Sequence, residues 1–326
     1  MNINSENISE TIKKGNPSRK ESTIKEYEKK LITLKKKKNS DNYTFLEDID
    51  DVKELLKSYS PNTQKGYYNA IIVLLLALNH EKVFDELIKE YQTIRDKLNE
   101  DYMKQQSTGE LSESQKEKFV SVKTLNDMLK LMLKDINRRD IKRKSKLEKS
   151  DVELLQAYTM FKFFIRYPTR NNLAGMLLLN KSDFNKLKDD VKKNNNYLVR
   201  EKSSMFVSLN NYKTEKTYGE IKFTLDKDIE KVFKQLIKIL NKTSGQTLFT
   251  ISKKGEEVEM NSNLMTQYLT RYSEKYIDKK ISTTMIRHII PSEKFAQKNK
   301  EQAELCKIMG HSQITQNLIY VKKTDF

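Results

Sequence analysis

The chain has 326 residues, with 62 Lys and Arg against 45 Asp and Glu, a formal charge of +17 at pH 7. That length accommodates two domains. The cationic excess draws polyanions, with nucleic acid as the leading partner and an anionic membrane surface as the rival. Cys306 is the single cysteine, so a disulfide within the chain is excluded and a reducing compartment fits. The most apolar run, Ala70 to Leu78, is too short to span a bilayer, and the first twenty residues have no apolar signal core. The expectation is an intracellular protein with no membrane association; composition does not separate nucleus, cytoplasm and viral factory.

Residues 1–20, rich in Asn, Ser, Lys and Glu, read as a disordered tail. From Ser22 a helical period begins: Ile24, Tyr27, Leu31 and Leu34 recur at steps of three and four, and Lys35 to Lys38 break it. Helices follow over 49–59, from Thr63 after the Pro61-Asn62 turn to Asn79, over 82–102, and over 120–136, with a polar loop at 105–117. The block 21–136 is therefore an all-helical arm domain. Next, Asn137 to Lys146 carries seven charges in ten residues, six of them basic, and reads as a basic linker over 137–148.

The remainder, 149–326, changes character. Asp151 to Phe164 is a helix, Pro168 interrupts it, and 171–179 resumes the helical pattern. Strands are expected at Tyr197–Val199, Met205–Leu209 and Glu220–Leu225, the last two flanking a hairpin tip from Asn210 to Gly219. Helices return at 227–241, 262–277, 284–289, 300–309 and 313–320. The fold class is thus mainly α, with a small antiparallel β-sheet in the C-terminal domain.

Three clusters in that domain carry chemistry. Arg170 follows the Pro168 break. Lys213 and Lys216 sit on the hairpin tip. The tail holds Thr284-Met-Ile-Arg-His288, Met309-Gly-His-Ser312 and Tyr320. Breaking a phosphodiester needs a nucleophile at phosphorus, cations for the charge that grows on the non-bridging oxygens, and a proton for the leaving 5′ oxygen. Arginine forks suit the second task, an ammonium the third, and a phenolate the first. A phenolate is also a good leaving group, so the bond energy is kept and rejoining needs no nucleotide cofactor. No metal cluster, P-loop or dinucleotide fingerprint stands out, and no cofactor is expected. Of the three histidines, His80 follows an apolar run and reads as structural, as does Cys306 in its helical pattern.

In order and spacing these clusters resemble the catalytic domain of tyrosine recombinases, the phage-integrase-like enzymes that break and rejoin DNA. The step of nine residues from His311 to Tyr320 matches that family, and Ile308-Met-Gly-His-Ser312 is similar to its "LGHS" segment. Lys213-Thr214 before Tyr218-Gly219 resembles its hairpin lysine. The resemblance implies a two-domain DNA clamp and a site-specific recombinase or integrase working through a 3′-phosphotyrosine, on a mobile or viral genome. It implies Tyr320 as nucleophile, Arg170 and Arg287 as the phosphate clamp, His311 as a hydrogen-bond donor to phosphate, and Lys213 as general acid, with Lys216 its competitor. The implied partner is double-stranded DNA, bound as a homotetramer in synapsis and as a monomer or dimer when free.

Two positions depart from the family pattern. Thr284 stands where a histidine or lysine is usual, and a hydroxyl is a poor general base near neutral pH; His288 or water is the substitute. Leu173 stands where a supporting acid is common. Two rivals therefore stay open: a type IB topoisomerase-like relaxing enzyme, and a DNA-binding relative with impaired catalysis.

Overall fold

The computed structural model describes residues 7–79, 81–253 and 255–309. The chain is mainly helical and divides into two units, Met1–Leu111 and Ser112–Phe326.

The first unit is all-helical: α1 (Ile8–Gly15), α2 (Glu21–Lys38), a 3-10 turn at Thr44–Glu47, α3 (Ile49–Leu56), α4 (Pro61–Leu78) and α5 (Asp85–Ser107). α4 begins with Pro61 at its first position, where no N–H is missed, and the Ser60 side chain accepts the Thr63 N–H. Its Ala70, Ile71, Leu74 and Leu75 are fully buried, so the other helices surround it. Lys35 to Lys38 do not break α2. They form its last turn, where cations meet the negative end of the helix dipole, and Asn39 closes it in the left-handed region at φ 53°. The expected disorder of residues 1–20 fails for α1. Ile8 and Ile12, one turn apart, are fully buried, and burying each is worth roughly 1.5–3 kcal/mol. Gly15 lies so close to α4 that a Cβ there would sit 2.7 Å from that of Ala77.

The second unit begins with α6 (Glu113–Lys116), α7 (Val122–Arg138) and α8 (Lys149–Arg166). Its sheet runs β1 (Leu177–Asn180), β2 (Asn196–Arg200), β3 (Met205–Leu209) and β4 (Ile221–Thr224) in spatial order, interrupted along the chain by α9 (Lys181–Lys186), α10 (Asp189–Lys193) and α11 (Glu215–Tyr218). β2–β3 and β3–β4 are antiparallel, as expected. β1–β2 is parallel, with Leu177 opposite Tyr197, which needs the α9–α10 crossover. Then come α12 (Lys227–Ile239), a separate hairpin of β5 (Thr250–Lys253) and β6 (Glu256–Glu259), α13 (Ser262–Ile277) and α14 (Thr283–Met309). α8 is the central helix, buried through Phe161, Phe163 and Phe164. Its Gln156 amide exchanges two 2.9 Å hydrogen bonds with the backbone of Thr250, tying the second hairpin to the core.

Four expectations are corrected in this unit. α7 does not belong to the arm. Its stripe Leu125, Met128, Leu129, Met132 and Ile136 joins the same core as α8 and α13, so the boundary falls at 111/112 and not at 137–148. Residues 137–148 are accordingly no linker: Ile141 is buried, Asp135 holds Arg138 and Arg139, and the buried Asp151 holds Lys144 at 2.7 Å. The segment 171–179 is a turn followed by β1, not a resumed helix. The expected helices at 284–289 and 300–309 are one helix, α14, with Pro291 inside it. Proline has no N–H, so the carbonyl of Arg287, four residues earlier, loses its helical donor. The expected helix at 313–320 lies outside the described residues. Among the described residues no helix is long and apolar enough to cross a membrane.

Candidate active site

α8 ends at Arg166 because Pro168 cannot continue it. The chain then turns tightly: the Asn172 N–H donates to the Arg170 carbonyl at 2.6 Å and the Ala174 N–H to the Asn171 carbonyl at 3.0 Å. Leu173 at the centre of this turn is fully buried, which roots the turn in the core. Gly175 completes it at φ +66°, a conformation that favours glycine, and its N–H donates to the Met260 carbonyl. Arg170 is thereby carried half-buried on a rigid turn rather than at a helix start.

Asn171 locks that turn to two helices. Its side-chain amide donates to the Ser262 carbonyl and to Thr266 Oγ1, both at 2.8 Å, on α13. Its Oδ1 accepts the Thr283 hydroxyl at 2.6 Å, on the first turn of α14. One helical turn beyond Thr283, on α14, is Arg287. Burial first, and then the like charge of Arg170, press the Arg287 guanidinium below its ordinary pKa. Two cations 117 positions apart in sequence are therefore close enough to repel each other in a half-dry setting. Other arginines of this unit have carboxylates: Arg138 and Arg139 have Asp135, Arg166 has Asp226, and Arg271 has Glu153. Among the described residues Arg287 has none, and neither have Arg143, Arg170 and Arg200. An arginine remains charged at neutral pH even so, and guanidinium forks suit a phosphate or another oxyanion.

Thr284 is exposed, three residues before Arg287 and so on the same face of α14. His288 is half-buried beside Arg287. Lys213 and Lys216 are both exposed, on the segment between β3 and β4. That segment is a turn leading into the short helix α11 rather than an open hairpin tip. The Tyr212 N–H donates to Glu215 at 3.1 Å, and the Tyr212 hydroxyl to the Gly219 carbonyl at 2.6 Å. His311 and Tyr320 lie outside the described residues, as does His80. Among the described residues no group of three or more His, Cys, Asp or Glu side chains is placed to hold a metal ion.

Sequence reasoning missed two asparagines. Besides Asn171, the side chain of Asn196, at the start of β2, joins the Arg170 turn to the Lys213 turn. Its amide donates to the carbonyls of Asn172 at 3.2 Å and Asn211 at 3.0 Å, and its Oδ1 accepts the N–H groups of Asn210 at 2.9 Å and Asn211 at 3.0 Å. The only sequence signal for either is the clustering of asparagines beside the candidate residues: 171–172, 194–196 and 210–211. A scan against protein-family models finds no match to the chain, and a search of curated proteins finds none either.

Proposed function

We propose that this chain cuts and rejoins DNA by transesterification, as a tyrosine-recombinase-type enzyme. The observation that carries the reading is the half-buried arginine pair, Arg170 and Arg287, with no acid offsetting Arg287 among the described residues. Stored repulsion of this kind is relieved when a phosphate enters, and most of all when its oxygens gain charge during attack. The Tyr320 phenolate would bond to phosphorus while the bond from phosphorus to the 5′ oxygen breaks. Lys213 would give that oxygen a proton, leaving a free 5′ hydroxyl and a 3′-phosphotyrosine. The reverse steps rejoin the strand. His311 would donate a hydrogen bond to a phosphate oxygen. Its role and that of Tyr320 rest on the sequence pattern.

The test is incubation with nicked duplex DNA of randomised sequence, scored for a covalent protein–DNA band. Wild type is expected to form the band and Tyr320→Phe to lose it; an undiminished band from the variant sinks the assignment. One feature favours a second reading, a DNA-binding relative with impaired catalysis: Thr284 supplies no general base. Specific binding with no band from wild type selects that reading. Given cleavage, relaxation of a supercoiled plasmid without two-site recombination selects a topoisomerase-like enzyme.

A further inference from the structure

We propose that Asn196 is the positioning residue that aims the Lys213 turn at the phosphate held by the Arg170 turn. The inference rests on the strand-breaking reading above. A phosphate clamp and a proton donor are useful only if they meet the same phosphorus, to within about 0.5 Å. The clamp side is anchored by Leu173 in the core and by Asn171 on two helices. On the donor side Tyr212, beside Lys213, is buried in the same core as Leu173. Lys213 is exposed, and the bonds of Tyr212 to Glu215 and Gly219 close within the turn. They set the shape of the turn and do not reach the Arg170 turn.

Asn196 supplies the tie that registers one turn against the other. A primary amide has two donor hydrogens and two acceptor lone pairs, and here all four are used, one on the clamp side and three on the donor side. The two donor bonds reach across to the Arg170 turn at Asn172 and to the Lys213 turn at Asn211. Both acceptor bonds come from the Lys213 turn, at Asn210 and Asn211. Asn196 faces Leu209, the last residue of β3, so it grips the chain where it leaves the sheet for Lys213. The residue is 6% exposed, so water is a poor substitute for any of these bonds. An aspartate there would set its carboxylate against the carbonyls of Asn172 and Asn211, and a glutamine is one methylene too long. Asn211 and Asn210 add side-chain bonds to the carbonyls of Asn194 and Asn195, at 2.9 and 3.4 Å, but these do not reach the Arg170 turn.

The test separates aim from fold by changing the leaving group. Duplexes captured as adducts from the randomised nicked pool are resynthesised with sulfur in place of the bridging 5′ oxygen at the cut. A thiolate leaves without a proton donor. Asn196→Ala is expected to slow cleavage of the oxygen substrate about 100-fold, the scale of a lost general acid, and to cleave the sulfur substrate within a few-fold of wild type. Lys213→Ala should behave alike, the double variant should be no slower than Lys213→Ala alone, and Arg287→Ala should stay slow on both substrates. Equal slowing by Asn196→Ala on oxygen and sulfur, or additive slowing in the double variant, overturns the proposal. Independently of DNA, Asn196→Ala should strip hydrogen-exchange protection from the Asn210 and Asn211 amides while Leu198 and Val207 keep theirs. Unchanged protection at Asn210 and Asn211 also overturns it. If wild type captures no duplex, the strand-breaking reading fails, and the exchange measurement still decides whether Asn196 holds the turn.

Discussion

If the strand-breaking proposal holds, replacing Arg287 by methionine is expected to make the free protein more stable and DNA cleavage far slower. Methionine keeps the apolar stem of the side chain and removes its charge. Because burial and Arg170 lower the Arg287 pKa in the folded state, holding it charged destabilises the fold at every pH below that pKa, neutral pH included. Removing a functional charge of this kind commonly returns about 0.5–2 kcal/mol. For a unit of about 200 residues that is a rise of about 1–8 °C in Tm, at roughly 2–4 °C per kcal/mol. The complementary measurement adds sulfate as an oxyanion. At ten times its Kd it would stabilise wild type by RT ln 11, about 1.4 kcal/mol, or about 3–6 °C. The variant keeps only the general salting effect of sulfate, so the difference between the two proteins isolates the site. Adduct formation should fall by about 100- to 1000-fold, the usual loss when one charge-stabilising donor is removed. A variant that is less stable than wild type without anions, or that gains as much from sulfate, would refute the picture of two arginines awaiting a phosphate.

Other regions give sharper tests of the fold. Ile12→Ala should destabilise the first unit by about 2–4 kcal/mol, as for other buried isoleucines; an unchanged urea midpoint would mean that α1 is not docked. Gly175→Ala should cost about 1–2 kcal/mol through its φ of +66°. Adding Glu259→Ala should recover little of that, because the mobile Glu259 carboxylate is the only group the new methyl meets; full recovery would locate the cost in sterics instead. Asp151→Asn should cost about 2–4 kcal/mol by leaving Lys144 without its carboxylate. Burial raises the Asp151 pKa, but Lys144, the Glu148 N–H and Arg139 outweigh it and hold the carboxyl below its ordinary 3.8. Its contribution is therefore complete above pH 3.8 and lost as the pH falls through the lower folded value. The unfolding free energy of wild type should fall more steeply than that of Asp151→Asn below pH 4, and parallel curves would contradict this.

The parts of the fold that were legible in the sequence are those with a long period. α4, α7, α12 and α13 repeat apolar residues over several turns, and β3 and β4 flank an obvious turn. β1 was not legible, since Leu177-Leu178-Leu179 is too short a run to tell strand from helix, and its parallel partner lies 20 residues away beyond a crossover. The domain boundary was misplaced for an electrostatic reason. Six basic residues in ten look solvated, and nothing local shows that Asp135 and Asp151 receive three of them, Arg138, Arg139 and Lys144. α1 was hidden because only Ile8 and Ile12 mark its buried face. At the candidate site the chemistry-bearing residues stood out by type, whereas Asn171 and Asn196 did not. An asparagine that spends its whole amide on distant backbone looks, in sequence, like any other polar residue in a loop.

Pro291 has a mechanical consequence. The helix that presents Arg287 lacks the rung that should clasp that residue's own carbonyl, so it yields to bending there more readily than one turn earlier or later. Torque applied farther along the helix would be absorbed at this joint rather than transmitted to the guanidinium. The front of the helix is bolted to Asn171 through Thr283, so its first turn is held on one side of this joint.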